Sequence, residues 1–203
     1  MIIDKEKLIF IHIPKNAGTS VEIFFMADER KPEAGKHAEK HDTIEMIKNK
    51  FSNEYETYKK FAIVRNPYDR MVSWYFHLKK EAEKDYAGIW KGFKITIEKS
   101  FPFDFAEWVK DPFKTLYTKW KLSGETSNLL NNHQHVWVDE TVNILKYENL
   151  NKELNDFLKR RIDLPRKNES SHDHYLKYYD KHSLDIVYER YKEDFEKFNY
   201  KKL

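Results

Sequence analysis

A chain of 203 residues with 37 basic and 34 acidic side chains has a formal net charge of only +3, so no global field draws it to nucleic acid or an anionic membrane, and any positive site is local. It is long enough to bury a full core as a single domain, 1–203, and its zero cysteines remove disulfides, zinc thiolate sites and thiol catalysis together. No apolar run reaches the roughly 18 residues needed to span a bilayer, and MIIDKEKLIF reads as a strand following charges, not a secretory signal; the expectation is a soluble, cytoplasmic protein. Aromatic residues make up 16% of the chain, a content that points first to a small core filled with large rings and that a carbohydrate-stacking surface would also use.

The first predicted element is a buried strand, Leu8 to Ile13, which runs into the turn Pro14-Lys15-Asn16-Ala17-Gly18 and then a helix. Thr19 followed three residues later by Glu22 is a capping-box pattern, placing the helix start near Thr19 or Ser20. Such a turn presents successive backbone N–H groups at a helix N-terminus. With the Lys15 ammonium and the Thr19 and Ser20 hydroxyls added, it suits a tetrahedral oxyanion. It is not a Walker A loop, because the lysine precedes the glycine and no glycine lies upstream, which disfavours an ordinary ATPase or kinase.

GKHAEKHDTIEMIK comes next, with His37 and His41 ahead of a helix opened by Asp42 or Thr43 and carrying Ile44 and Ile47. A histidine pair at i and i+4 also fits a metal on a helix, but Asp42 and Thr43 are the better helix starts, so no metal site is expected. The second strand, Phe61 to Val64, ends in Arg65, with Asn66 as N-cap and Pro67 at the first helical position. Seven residues from Asn66 to Ser73 make about two turns, so Arg65 and Ser73 can serve one phosphate, as a fork and a further donor. The helix then shows Met71, Trp74, Tyr75 and Leu78 on one face.

From about Tyr86 to Trp137 the pattern loosens into an aromatic-rich, mostly helical insertion broken by Pro102, Pro112 and Gly124. A third strand, Val142 to Tyr147, precedes Glu148, and a run with Lys152, Lys159, Arg160 and Arg161 follows, ending at Pro165. The tail carries Leu184, Val187, Tyr191, Phe195 and Phe198 at helical spacing, with Ser183 as N-cap. Short, continuous apolar strands alternating with helices give an α/β fold class with a mostly parallel sheet.

Two anion sites at the C-terminal ends of two strands imply a ligand with two separated anionic ends, such as a 3′-phosphorylated nucleotide carrying a 5′-phosphosulfate. At this point a resemblance becomes specific. IHIPKNAGTSVE resembles the 5′-phosphosulfate loop, and FAIVRNPYDRMVSWY the 3′-phosphate motif, of the sulfotransferases that use 3′-phosphoadenosine 5′-phosphosulfate (PAPS), in their carbohydrate-type, family 2-like branch. The ending LPRKNESSHDHYLKYYDKHSLDIVYERYKEDFEKFNY is family-like as well.

The resemblance implies a P-loop-like three-layer fold, PAPS as donor and a hydroxyl acceptor, that of a carbohydrate. It assigns Lys15, Asn16, Ala17, Gly18, Thr19 and Ser20 to the 5′ side of the nucleotide, Arg65 and Ser73 to the 3′-phosphate, and Arg166, Lys167, Asn168 and Ser170 to a loop closing over it. Residues 86–137, which match none of the motifs, are where acceptor specificity would lie. A base near neutrality points to His or Glu. Similar bacterial sequences place one histidine six residues ahead of a helix isoleucine, a spacing reproduced by His41 and Ile47. His37 and Glu148 are the alternatives, and His12, inside the first strand, is expected to be a bystander.

Overall fold

The computed structural model describes residues 1–28, 41–83, 89–90, 93–94, 104–112, 133–165 and 172–203. They fall into two compact units, Met1–Asn66 with His133–Glu169, and Pro67–Asn132 with Ser170–Leu203. The architecture is mixed α/β, consistent with a P-loop-like fold.

The first unit is built on a four-stranded sheet in the order β1-β2-β3-β6. The strands are β1 (Ile2–Ile3), β2 (Leu8–Ile11), β3 (Lys59–Val64) and β6 (Val142–Lys146). β1 runs antiparallel to β2, while β2, β3 and β6 are parallel, with Phe10 opposite Phe61 and Ala62 opposite Ile144. The continuous apolar runs have their predicted cause: side chains of both parities are buried. Phe10, Phe61, Ile63 and Leu145 join a core with Val21 and Phe25 of α1 (Gly18–Asp28) and Leu154 of α6 (Leu150–Leu158). Ile9, Ile11, Ala62 and Val64, of the opposite parity, are buried too. The Phe10 and Phe61 rings stack at 5.0 Å, a cross-strand contact that holds the register.

Two helices precede β3. In α2 (Ile44–Lys50) the Thr43 hydroxyl accepts from the Met46 N–H, the cap read from the sequence, and Ile44 and Ile47 are buried. α3 (Ser52–Thr57) is pinned through Tyr55, whose hydroxyl donates to Asp139 at 2.8 Å.

The second unit is aromatic at its centre. α4 (Pro67–Glu83) begins at the predicted proline and turns Tyr68, Met71, Val72, Tyr75 and Leu78 inward. These meet Phe105, Trp108 and Val109 of α5 (Phe105–Lys110), and Val187, Tyr191 and Phe195 from the C-terminal segment. Arg190 donates to the carbonyls of Val109 and Lys110 at 2.9 and 3.1 Å, satisfying the open end of α5.

Two expectations are corrected. The tail is two helices, α7 (Lys181–Arg190) and α8 (Lys192–Lys197), and its N-cap is Asp180, not Ser183. Ser183 is the other half of a reciprocal capping box, so the Asp-x-x-Ser pair shares the work. Within the stretch 86–137, expected to be mostly helical, Ile89–Trp90 (β4) pairs antiparallel with Phe93–Lys94 (β5). Its last described part, the 3-10 turn Gln134–Trp137, belongs to the first unit.

Candidate active site

β2 stops at Ile11, so His12 lies just past the strand. The chain then turns through residues 14–17 with two non-glycine residues in the left-handed region, Lys15 at φ 71° and Ala17 at φ 60°. That conformation costs about 1–2 kcal/mol per L-residue. It is retained where the surroundings over-determine it, which happens most at ligand clamps. A turn of this kind makes successive N–H groups converge on one point, an anion-binding concavity. Ser20 is the first N–H to bond back, to the Ala17 carbonyl at 3.0 Å. Those of Gly18 and Thr19 therefore precede the helical ladder, where the macrodipole favours negative charge.

The helix starts at Gly18, within one residue of the start expected near Thr19 or Ser20. Glu22 pairs with the buried His12, Nδ1 to Oε1 at 2.6 Å. The His12 ring occupies the space beside Gly18, where an added Cβ would lie 2.1 Å from its Nε2. Gly18 is thus demanded by packing against a histidine.

His41 sits at the same corner. Its ring meets His12 edge-on at 4.8 Å and Trp137 at 6.2 Å between centroids, and its Nδ1 is 3.2 Å from the His12 carbonyl oxygen. A carbonyl only accepts, so Nδ1 carries the hydrogen and, in the neutral ring, Nε2 holds the lone pair.

At the end of β3 the Arg65 guanidinium lies 4.1 Å over the Tyr147 ring and donates to the Lys15 carbonyl at 3.2 Å. The next N–H, of Asn66, donates to the Glu148 carboxylate at 2.7 Å. Glu148 follows β6 in an exposed turn, so one of its tasks is to hold the chain leaving β3.

Between the two strand ends lies a residue the sequence reading missed. Gln134 is fully buried, and its Oε1 accepts from Asn16 Nδ2 at 2.7 Å and from the Arg65 N–H at 2.9 Å, while its Nε2 donates to the Arg65 carbonyl at 2.8 Å. Asn16 Nδ2 also donates to the Ile63 carbonyl at 2.7 Å. Asn16 is therefore an anchor under the turn, with its side chain directed inward. Sequence gives no local signal for Gln134, since it acts on backbone 69 residues away.

The described residues thus bring Lys15 to Ser20, His41, Arg65 and Glu148 into one unit. Ser73 belongs to the second unit, buried in α4. His37, Arg166, Lys167, Asn168 and Ser170 lie outside the described residues.

A family model described as the sulfotransferase family matches residues 1–201. The chain belongs to the sulfotransferase family. The match spans both the turn beyond β2 and the Arg65 segment beyond β3, the two segments on which the resemblance in the sequence rests. No curated protein and no solved structure matches the chain significantly. Among the described residues no helix is long and apolar enough to cross a membrane.

Proposed function

We propose that this sulfotransferase takes its sulfuryl group from PAPS and delivers it to a carbohydrate hydroxyl, with His41 as the base and Lys15 stabilising the leaving phosphate. The observation that carries the reading is the tautomer of His41. With Nδ1–H directed at the His12 carbonyl, Nε2 is the nitrogen that carries the lone pair of the neutral ring, the atom a general base uses.

The donor supplies an activated sulfuryl group, and its transfer releases adenosine 3′,5′-bisphosphate. The strained turn supports this donor: converging N–H groups, a lysine and a helix N-terminus form a donor set for a 5′-phosphate oxyanion. In this reading the Lys15 ammonium and the N–H groups from Asn16 to Thr19 hold the 5′ end, where negative charge gathers as the S–O bond breaks. Arg65 and Ser73 hold the 3′-phosphate, and Arg166, Lys167, Asn168 and Ser170 close over the nucleotide. The acceptor oxygen forms the new bond to sulfur while its proton passes to His41 Nε2. Catalysis is mainly alignment and charge stabilisation, as in phosphoryl transfer. His37 and Glu148 remain the alternative bases. The bond from the Asn66 N–H to Glu148 favours a supporting role for that carboxylate.

Calorimetric titration with adenosine 3′,5′-bisphosphate, ADP and ATP in the absence of metal tests the donor. Micromolar binding that requires the 3′-phosphate, and is lost in Arg65→Ala, is expected; equal binding of all three would remove PAPS from the reading. His41→Ala is expected to lower turnover by about 10²–10⁴-fold and leave bisphosphate affinity within twofold. A wild-type rate in that variant would pass the base role to His37 or Glu148.

A further inference from the structure

The ladder between β3 and β6 ends with Val64 opposite Lys146. Beyond it, the Gln134 side chain does what a neighbouring strand would have done: its primary amide receives the N–H of Arg65 and donates to the carbonyl of the same residue. Its oxygen is shared with Asn16 Nδ2, which itself returns to β3 through the Ile63 carbonyl. Neither amide can be flipped. Reversing Gln134 would set its NH₂ against two N–H donors, and reversing Asn16 would set its oxygen against two acceptors. Holding this arrangement leaves Asn16 Oδ1 buried with no partner. A buried acceptor left unmade is destabilising, so the turn keeps its Asn16 anchor at the expense of a hydrogen bond.

We propose that Gln134 is a positioning residue that locks the turn beyond β2 to the end of β3, fixing the spacing of the two anion-binding segments so that a ligand with two anionic ends engages both at once. The inference rests on the proposed nucleotide reading for the identity of that ligand. Two contact sets at a fixed, matching spacing make the second contact intramolecular, and that advantage is lost when the spacing is free to vary. Gln134 itself touches neither anion; it acts through Asn16 and Arg65.

The test compares dissociation constants for adenosine 3′,5′-bisphosphate, adenosine 5′-phosphate and adenosine 3′-phosphate in the wild type, Gln134→Met and Gln134→Glu. Methionine keeps the volume and removes the hydrogen bonds to Asn16 and to the Arg65 N–H and carbonyl; glutamate keeps the shape and removes the donation to the Arg65 carbonyl, so it serves if the methionine variant does not fold. The expected result is a loss of at least about tenfold for the bisphosphate and under about threefold for each monophosphate, since linked contacts suffer and single ones do not. A merely structural role would shift the melting temperature and leave the ratio between ligands unchanged, and an unchanged ratio in a folded variant overturns the proposal. A wild-type protein that gains nothing from the second phosphate would overturn the nucleotide reading first, and this inference with it.

Discussion

The corner beyond β2 and the aromatic centre of the second unit are built by opposite rules. At the corner two non-glycine residues sit at positive φ, a buried histidine fills the space beside Gly18, and Asn16 Oδ1 lacks a partner. In the second unit, rings meet at ordinary distances, such as Tyr68 on Phe195 at 4.8 Å and Phe105 on Tyr179 at 4.7 Å. There a buried hydroxyl such as that of Tyr179 finds the Tyr68 carbonyl at 2.8 Å, and burial drives its phenol well above the ordinary value of 10. Backbone strain marks the corner, where the proposed anion site lies, and ring packing marks the second unit, although there too a buried polar atom, Trp108 Nε1, is left without a hydrogen-bond partner.

The largest effects should separate the two regions. Trp108→Ala removes a fully buried ring from the aromatic core and is expected to lower stability by about 3–5 kcal/mol, read as the shift of a denaturant midpoint. Lys15→Ala is expected to lower turnover by about 10²–10³-fold, the scale seen when one preorganised stabilising group is lost from a site of developing charge. Its melting temperature should change little, because alanine keeps the same Cβ at the left-handed position and the Lys15 carbonyl that accepts from Arg65 is retained. If Lys15→Ala instead lowered the melting temperature steeply while leaving the kcat of the folded protein intact, the division between the regions would be wrong.

Gly18→Ala comes next. The added methyl meets the His12 ring at 2.1 Å, an overpacking expected to destabilise by about 1–3 kcal/mol and to shift His41 through its bond to the His12 carbonyl. Combining it with His12→Ala, which vacates the space, should restore part of the stability. Equal stability of Gly18→Ala and wild type in thermal melts would show that the histidine moves aside freely.

Legibility in the sequence followed the range of the interaction. The three parallel strands, the α/β class, the turn from Lys15 to Gly18 and Arg65 at a strand end are readable, because apolar runs and strand-to-helix punctuation are local signals. The start of α1 near Thr19 is readable to within one residue, but the pairing of Glu22 with His12, ten residues earlier, is not, because no local pattern records it. Ser183 was taken alone, although Asp180 three residues earlier completes the box. Gln134 was invisible for the same reason in stronger form. A side chain that replaces a strand's backbone pairing leaves no periodicity, only a single polar letter among histidines.

The smallest effect concerns pH and belongs to the second unit. Hydrogen bonds from the Ser183 hydroxyl and then from its backbone N–H hold the Asp180 carboxyl below its ordinary 3.8. A carboxyl depressed in the folded state binds its proton more weakly there than in the unfolded chain. It therefore contributes stability above the unfolded value and loses it as pH falls through 3.8 and then through the lower folded value. Asp180→Asn keeps a good neutral cap and removes the titration. Melting temperatures of the two proteins between pH 6 and pH 2.5 should therefore converge in acid, with wild type declining faster than the variant below about pH 4. A gap that stays constant across that range would mean that the cap is held by the backbone of α7 alone, and that the second unit's polar contacts matter less to it than its rings.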